Sequence, residues 1–244
     1  MSESRRRAWQ ALDIGPAWRL RERPAAAVAP GPGALEGGRR VEDEDGVEGV
    51  GPPAGLDWAG LREAVAGCRL CTLCETRRNT VFGVGDERAA WMVVGEAPGA
   101  EEDRVGEPFV GRAGQLLDAM LASVGRSRRD GVFIANVLKC RPPENRNPLP
   151  EELARCVPYL RRQIELVSPA LILVLGKIAA QALLDTEASI ASLRGRVHHW
   201  RSGGSEIPLV VTYHPAYLLR TPLDKAKAWA DLRLACSLSA SARR

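Results

Sequence analysis

Residues 90–103 read AWMVVGEAPGAEED. The first five are apolar without interruption, and then a glycine opens a turn that ends in acidic residues. Three further runs share the pattern: GVFIANV at 131–137, ALILVLG at 170–176 and IPLVVTY at 207–213. A strand with one wet face alternates apolar and polar residues, whereas a continuous run suits a strand covered on both faces. Helical patterns lie between the runs. Residues 113–125 place apolar side chains at 116, 117, 120, 121 and 124, and residues 150–167 open on Pro-Glu-Glu, suited to a helix N-terminus. Residues 177–184 follow the third run directly, and residues 224–237 close the pattern. Strands alternating with helices predict a three-layer α/β/α domain with a mostly parallel central sheet.

The domain is expected to span 56–244. Before it, residues 24–55 are dominated by Pro, Gly and Ala and include the acidic run EDED at 42–45. Such a stretch buries too little apolar surface to offset its ordering entropy, so 1–55 reads as a flexible extension and linker. Within it, residues 5–23 set two tryptophans among arginines. That segment reads either as a short lightly docked helix or as a recognition peptide, within residues 1–23, for a replication or repair protein.

The chain has 244 residues and a net charge of +4; residues 1–55 carry eight basic and nine acidic side chains, leaving the remainder at +5. A mildly basic domain is compatible with a polyanionic partner without demanding one. No run approaches the roughly 18 apolar residues of a membrane span, and MSESRRRAWQ has no apolar signal core. A cytoplasmic, nucleoid-associated monomer with no membrane contact is therefore expected.

Cys68, Cys71 and Cys74 form C-x2-C-x2-C, with Cys140 and Cys156 further on. A C-x2-C knuckle with two later thiolates is the inventory of a four-thiolate zinc site or an iron–sulfur cluster, and spacing alone does not choose. Cys236, between Leu234 and Leu238, reads as a core thiol. The segment KCRPPENR at 139–146 leaves a buried strand through a rigid Pro-Pro excursion, and the chain reaches Cys156 near the start of a helix. Ligands at both ends would pin a basic loop, a structural rather than redox role.

Ligands of open α/β sheets bind outside the carboxyl ends of the strands. Glu96 stands at one such end, either as an active carboxylate or as a surface cap; its address favours the former. Phe109, one of three Phe, sits in the glycine-flanked loop GEPFVGRAG at 106–114, as a core anchor or as a platform for a planar ligand. Asn136 ends the second run, where its amide can read a donor–acceptor pair. His214, one of three His, ends the fourth. Platform, amide and imidazole together suit a nucleobase.

Four segments, GEAPGAEED at 95–103, GEPFVGRAGQLLD at 106–118, NVLKCRPPENRNPLP at 136–150 and HPAYLLR at 214–220, closely resemble the motifs of family 4 uracil-DNA glycosylases, the iron–sulfur branch of that superfamily. The resemblance covers roughly 58–236. It implies the uracil-DNA glycosylase fold, uracil-containing DNA as substrate, and hydrolysis of the N-glycosidic bond to free uracil and an abasic site. It implies a [4Fe–4S] cluster on Cys68, Cys71, Cys140 and Cys156, with Cys74 not needed. Phe109 would stack on the flipped base, Asn136 would read its O4/N3 edge, and His214 would stabilise charge on O2. Glu96 and the backbone at Ala97 would lie near the sugar and the attacking water. Other branches place an Asp where Ala97 stands, so a strong general base is not expected there. No lysine stands where a Schiff-base nucleophile would, so the enzyme should be a monofunctional hydrolase. In the branch that bonds covalently to uracil-DNA, a Gln follows the Glu and a basic loop carries the reactive His; neither feature is present. A base flipper must fill the vacated space, and Leu218 and Leu219, expected to be exposed beside Arg220, are the candidate wedge. The competing readings are the same fold acting on hypoxanthine as well, and a non-catalytic iron–sulfur module that binds nucleic acid.

Overall fold

The computed structural model describes residues 55–202 and 205–241. Residues 1–54 of the expected N-terminal extension, with the segment read as a short helix or a recognition peptide, lie outside the described residues.

Six strands form one sheet: β1 (Val84–Gly85), β2 (Trp91–Gly95), β3 (Val132–Asn136), β4 (Leu171–Leu175), β5 (Val197–Ser202) and β6 (Ser205–Thr212). Their spatial order is β1-β3-β2-β4-β6-β5. The inner four are mutually parallel, and the two edge strands are antiparallel to their neighbours. All residues of β2, β3 and β4 are buried, because helices cover both faces. Along β2, Met92 and Val94 point into one core while Trp91 and Val93 point into the other. Both sets must then be apolar, which is why the runs are continuous.

On the first face lie helices α1 (Trp58–Ala66) and α5 (Pro150–Val167) with α6 (Lys177–Leu184). On the second lie α4 (Arg112–Ser123), α8 (Pro215–Arg220) and α9 (Lys225–Ser241). Three short helices complete the set: α2 (Leu73–Thr76), α3 (Ala100–Val105) and α7 (Ile190–Leu193). The expected three-layer architecture is present, and α5 and α6 keep their expected bounds. Among the described residues, no helix is long and apolar enough to cross a membrane.

The sequence pattern did not reveal β1 or β5. A two-residue strand carries no periodicity, and β5, VHHWRS, is polar because only Trp200 among its residues is buried. The Gly-Gly pair at 203–204 was the available hairpin signal.

One expectation is overturned. Leu218 is 1% exposed and belongs to the second core, whereas Leu219 is 36% exposed. Pro215 and Leu218 are the buried residues of α8; three apart, they share one helical face. Leu218 therefore anchors the helix and is not free to enter DNA. Leu218→Ala should cost about 2–5 kcal/mol, the range for emptying a buried leucine site, while Leu219→Ala should stay within about 0.5 kcal/mol of wild type. Denaturant unfolding of the two variants checks this, and equal stabilities would refute the assignment.

Candidate active site

A cleft of about 480 Å³ opens at the carboxyl ends of the parallel strands. Its lining comes from the ends of β2, β3 and β6, which flank the point between β2 and β4 where the chain reverses its direction of travel across the sheet, the usual address of a ligand in such folds. Glu96, Ala97, Phe109, Asn136, His214 and Arg220 all line it. Leu218 and Leu219 do not form part of that wall.

Gly95 sets the back of the cleft. A Cβ there would collide with the Asn136 side-chain oxygen and, at 2.6 Å, with the Phe109 ring. Only a glycine at the end of β2 lets those two side chains meet over the strand. Asn136 is 2% exposed, and its Oδ1 is buried without a hydrogen-bond partner. An orphaned buried acceptor costs about 1–3 kcal/mol; in a cleft wall it is a group held ready for a donor on a ligand.

Phe109 is itself held under strain. Its φ of 56° lies in the left-handed region, unusual for a bulky residue. The surroundings enforce it. Arg128 donates to the Pro108 and Phe109 carbonyls at 3.2 and 2.7 Å and pairs with Asp118 at 2.8 Å. Glu102 accepts from the amides of Val110 and Gly111 at 3.0 and 3.2 Å, while its other oxygen accepts from Gly99 at 3.1 Å. One carboxylate thus ties the turn after β2 to the loop bearing Phe109. Gly114 allows that loop to press on α4, since a Cβ there would overlap the Phe109 carbonyl. The Phe109 ring lies 5.6 Å from the His214 ring, tilted by 31°.

His214 caps α8. Its Nδ1 accepts from the Ala216 amide at 3.1 Å. An accepting Nδ1 leaves the proton on Nε2, so that nitrogen is the donor. Burial, aided by Arg220, holds the imidazole down to about 4, so it is neutral near pH 7. Burial pushes the Glu96 carboxyl above its ordinary range.

The cleft's far wall is the loop after β3. Arg146 donates two hydrogen bonds, at 2.6 and 2.9 Å, to Glu152, which is fully buried on α5 and also accepts from the Leu149 amide at 2.8 Å. The pair fixes Arg146 beside the cleft. Sequence reasoning missed Glu102, Arg128 and Glu152. Glu102 and Glu152 each stand three residues after a helix N-cap, a capping-box spacing that could have drawn attention to them.

Behind this wall, Cys68, Cys71, Cys74, Cys140 and Cys156 line a second, apolar cavity with Val65, Leu73 and Tyr159. All are free thiols. Among the described residues, no three His, Cys, Asp or Glu converge closely enough for a single metal ion. A zinc ion draws four sulfurs to about 2.3 Å from one point, whereas a cluster spreads its thiolates around a larger body. Two donors already face sulfur: Arg77 reaches Cys140 at 3.1 Å and the Lys139 amide reaches Cys156 at 3.2 Å. Cysteines around one apolar cavity, two of them with an N–H group on sulfur, are a donor set that fits an iron–sulfur cluster. Cys236 packs against the second core, far from this group in the fold.

A model of the uracil DNA glycosylase superfamily matches residues 82–233. The chain belongs to the uracil-DNA glycosylase superfamily. It is 49% identical to the type-4 uracil-DNA glycosylase of Archaeoglobus fulgidus over 177 residues, which is 71% of this chain and 88% of that protein. The type-4 uracil-DNA glycosylase of Pyrobaculum aerophilum is 43% identical over 183 residues, 73% of this chain and 93% of its own. That of Thermotoga maritima is 46% identical over 161 residues, 66% and 82%.

The Glu102 tie gives this superfamily member a specific weakness. Glu102→Ala strands three backbone donors and should lower stability by about 2–4 kcal/mol, charge-assisted bonds being the stronger kind. Amide exchange at Val110 and Gly111 should rise with it. Unchanged exchange at those two amides would show that the loop holds itself.

Proposed function

We propose that the protein excises uracil from DNA by hydrolysing the N-glycosidic bond, leaving an abasic site. The single observation that carries this reading is the unpartnered Asn136 oxygen, buried between the Phe109 ring and the strand end. It is an amide waiting for a planar partner that has a donor beside an acceptor, as uracil does at N3–H and O4. The named relatives are uracil-DNA glycosylases, and the cleft presents the side chains such a reaction uses.

Breaking the bond builds positive charge on the sugar and negative charge on the base. Groups that act more strongly on those charges than on the ground state lower the barrier. Glu96 faces the developing cation. Neutral His214 offers Nε2–H to uracil O2 as that oxygen gains charge. Phe109 stacks on the flipped base. Ala97 supplies no general base, so Glu96 and the substrate's own phosphates orient the water. Arg220 and the Arg146 loop border the cleft as phosphate contacts, and Leu219, not Leu218, is the exposed leucine next to Arg220 in the chain.

The same reading puts a [4Fe–4S] cluster on Cys68, Cys71, Cys140 and Cys156. The cluster supplies structural cross-linking, and the chain's own part is to pin the Cys140 loop, with Arg146 on it, against α5. Purified anaerobically, the protein should carry iron and absorb broadly near roughly 400 nm; stoichiometric zinc without iron would overturn this.

Release of free uracil from a labelled oligonucleotide tests the function directly, with hypoxanthine release measured alongside. Asn136→Asp sharpens it. Cytosine offers an amino donor where uracil has an acceptor, so the native amide faces it with two like pairs, costing on the order of 1–3 kcal/mol each. The aspartate accepts from that amino group. The variant should release less uracil and more cytosine relative to it, and an unchanged ratio with iron intact would remove Asn136 from base reading.

The pH profile has a defined sign. Glu96 works as the anion, so kcat/KM should fall as pH drops through its raised value, earlier than for an ordinary carboxylate. His214 is unprotonated until about 4 and contributes no limb near neutrality. Glu96→Gln should lower kcat by roughly 10²–10³-fold and flatten the acid limb. A limb that persists in that variant would belong to another group.

A further inference from the structure

Lys139 is a charged side chain that neither the cleft nor the cysteine cavity explains by itself. It is 2% exposed. Its Nζ donates to the main-chain carbonyl of Asn136 at 2.8 Å and to Oε1 of Gln163 at 2.6 Å. Gln163, on α5, is fully buried and donates to the Phe82 carbonyl at 2.9 Å, which fixes its orientation. Both acceptors of the ammonium are neutral.

A buried ammonium without counter-charge is costly. Among the described residues no carboxylate forms an ion pair with Lys139, which lines the same cavity as Cys140 and Cys156. These are two of the four cysteines assigned to the cluster, and Lys139's own amide donates to the Cys156 sulfur. The bridge ends on the residue that reads the base. β1 pairs with β3 only at Phe133 and Ile134, so the Asn136 carbonyl lies beyond the end of β1 and takes its donor from Lys139.

We propose that Lys139 is a positioning residue for base reading: its ammonium is the counter-charge of the four-cysteine centre and, by holding the Asn136 carbonyl, fixes the amide that faces the base. The inference rests on the function and cluster assigned above. It makes the centre more than a clasp for the outer loop, because its charge retains the cation that steadies the specificity residue. Groups just outside a metal's ligands commonly orient and tune a site in this way.

Three variants separate the parts. Lys139→Met keeps the length and removes the charge and the donors. Lys139→Arg keeps the charge. Gln163→Leu removes only the second acceptor. Each is purified anaerobically, and iron content, midpoint potential and the ratio of uracil to cytosine release are measured per iron-loaded molecule. Lys139→Met should move the midpoint potential to a more negative value, since a nearby cation favours the reduced cluster, and should lower the release ratio about tenfold. Lys139→Arg should restore the potential and part of the ratio. Gln163→Leu should lower the ratio with the potential unchanged. A merely structural lysine would cost melting temperature and iron content while leaving potential and ratio at wild-type values, and that result overturns the proposal. Should Lys139→Met fail to fold, Gln163→Leu decides, and a wild-type ratio there is equally fatal. A wild-type protein that releases no uracil would sink the functional reading instead, and the potential shift would still judge the link between Lys139 and the centre.

Discussion

The close approach at Gly95 is the constraint on which the site depends. At the end of β2 the backbone has no side chain, and the Asn136 amide and the Phe109 ring occupy the space a Cβ would take. Each comes from a different element: Asn136 from the neighbouring parallel strand, in register with Gly95, and Phe109 from the loop before α4. The sheet can supply the first by geometry alone. The second needs a loop bent into the left-handed region, and isolated loops do not hold bulky residues there. The surrounding donors and acceptors carry that cost, which is why so much polar side-chain capacity is spent on main chain rather than on ligand.

That division of labour runs through the whole cleft. Glu102 and Arg128 lock the Phe109 loop, Glu152 locks Arg146, and Lys139 with Gln163 locks the Asn136 carbonyl. In the cleft wall the buried Asn136 oxygen has no protein partner, and the Nε2–H of His214 and the carboxyl of Glu96 stand in the same lining. A site whose supporting bonds are satisfied internally does not reorganise when charge develops, and preorganisation of this kind is where enzymes gain most.

The parts legible in the sequence were those that obey a period or occupy a recurring address. Continuous apolar runs marked the four inner strands because two helical layers cover them. Glu96, Asn136 and His214 were found because they follow such runs. The edges escaped because a two-residue strand has no pattern and β5 faces water. Leu218 was misread because HPAYLLR gives two apolar residues in succession without saying which one the helix turns inward; the turn of α8 decides, and it buries the first. Glu102, Lys139 and Glu152 were invisible as functional residues since a charged letter in a sequence does not show whether it faces solvent or a stranded amide. Arg146 was noticed only as part of a basic loop, because its partner lies on a helix that begins after the loop ends.

The electrostatics of the cleft then explain why these few groups suffice. Leaving-group departure separates charge along one line, cation at the sugar and anion at the base. Burial, which lowers His214 and raises Glu96, disfavours the charged form of both side chains in the empty cleft. The Glu96 anion is thus held at an electrostatic disadvantage until a cation develops beside it, whereas His214 stays neutral and keeps its Nε2–H to donate. In the reaction proposed above, bond stretching would give the carboxylate a cation to face and the imidazole an anion to donate to, and both interactions would strengthen once a base stacked on Phe109 excluded water. The burial that disfavours charge in the resting protein is the same burial that makes each interaction count in the transition state.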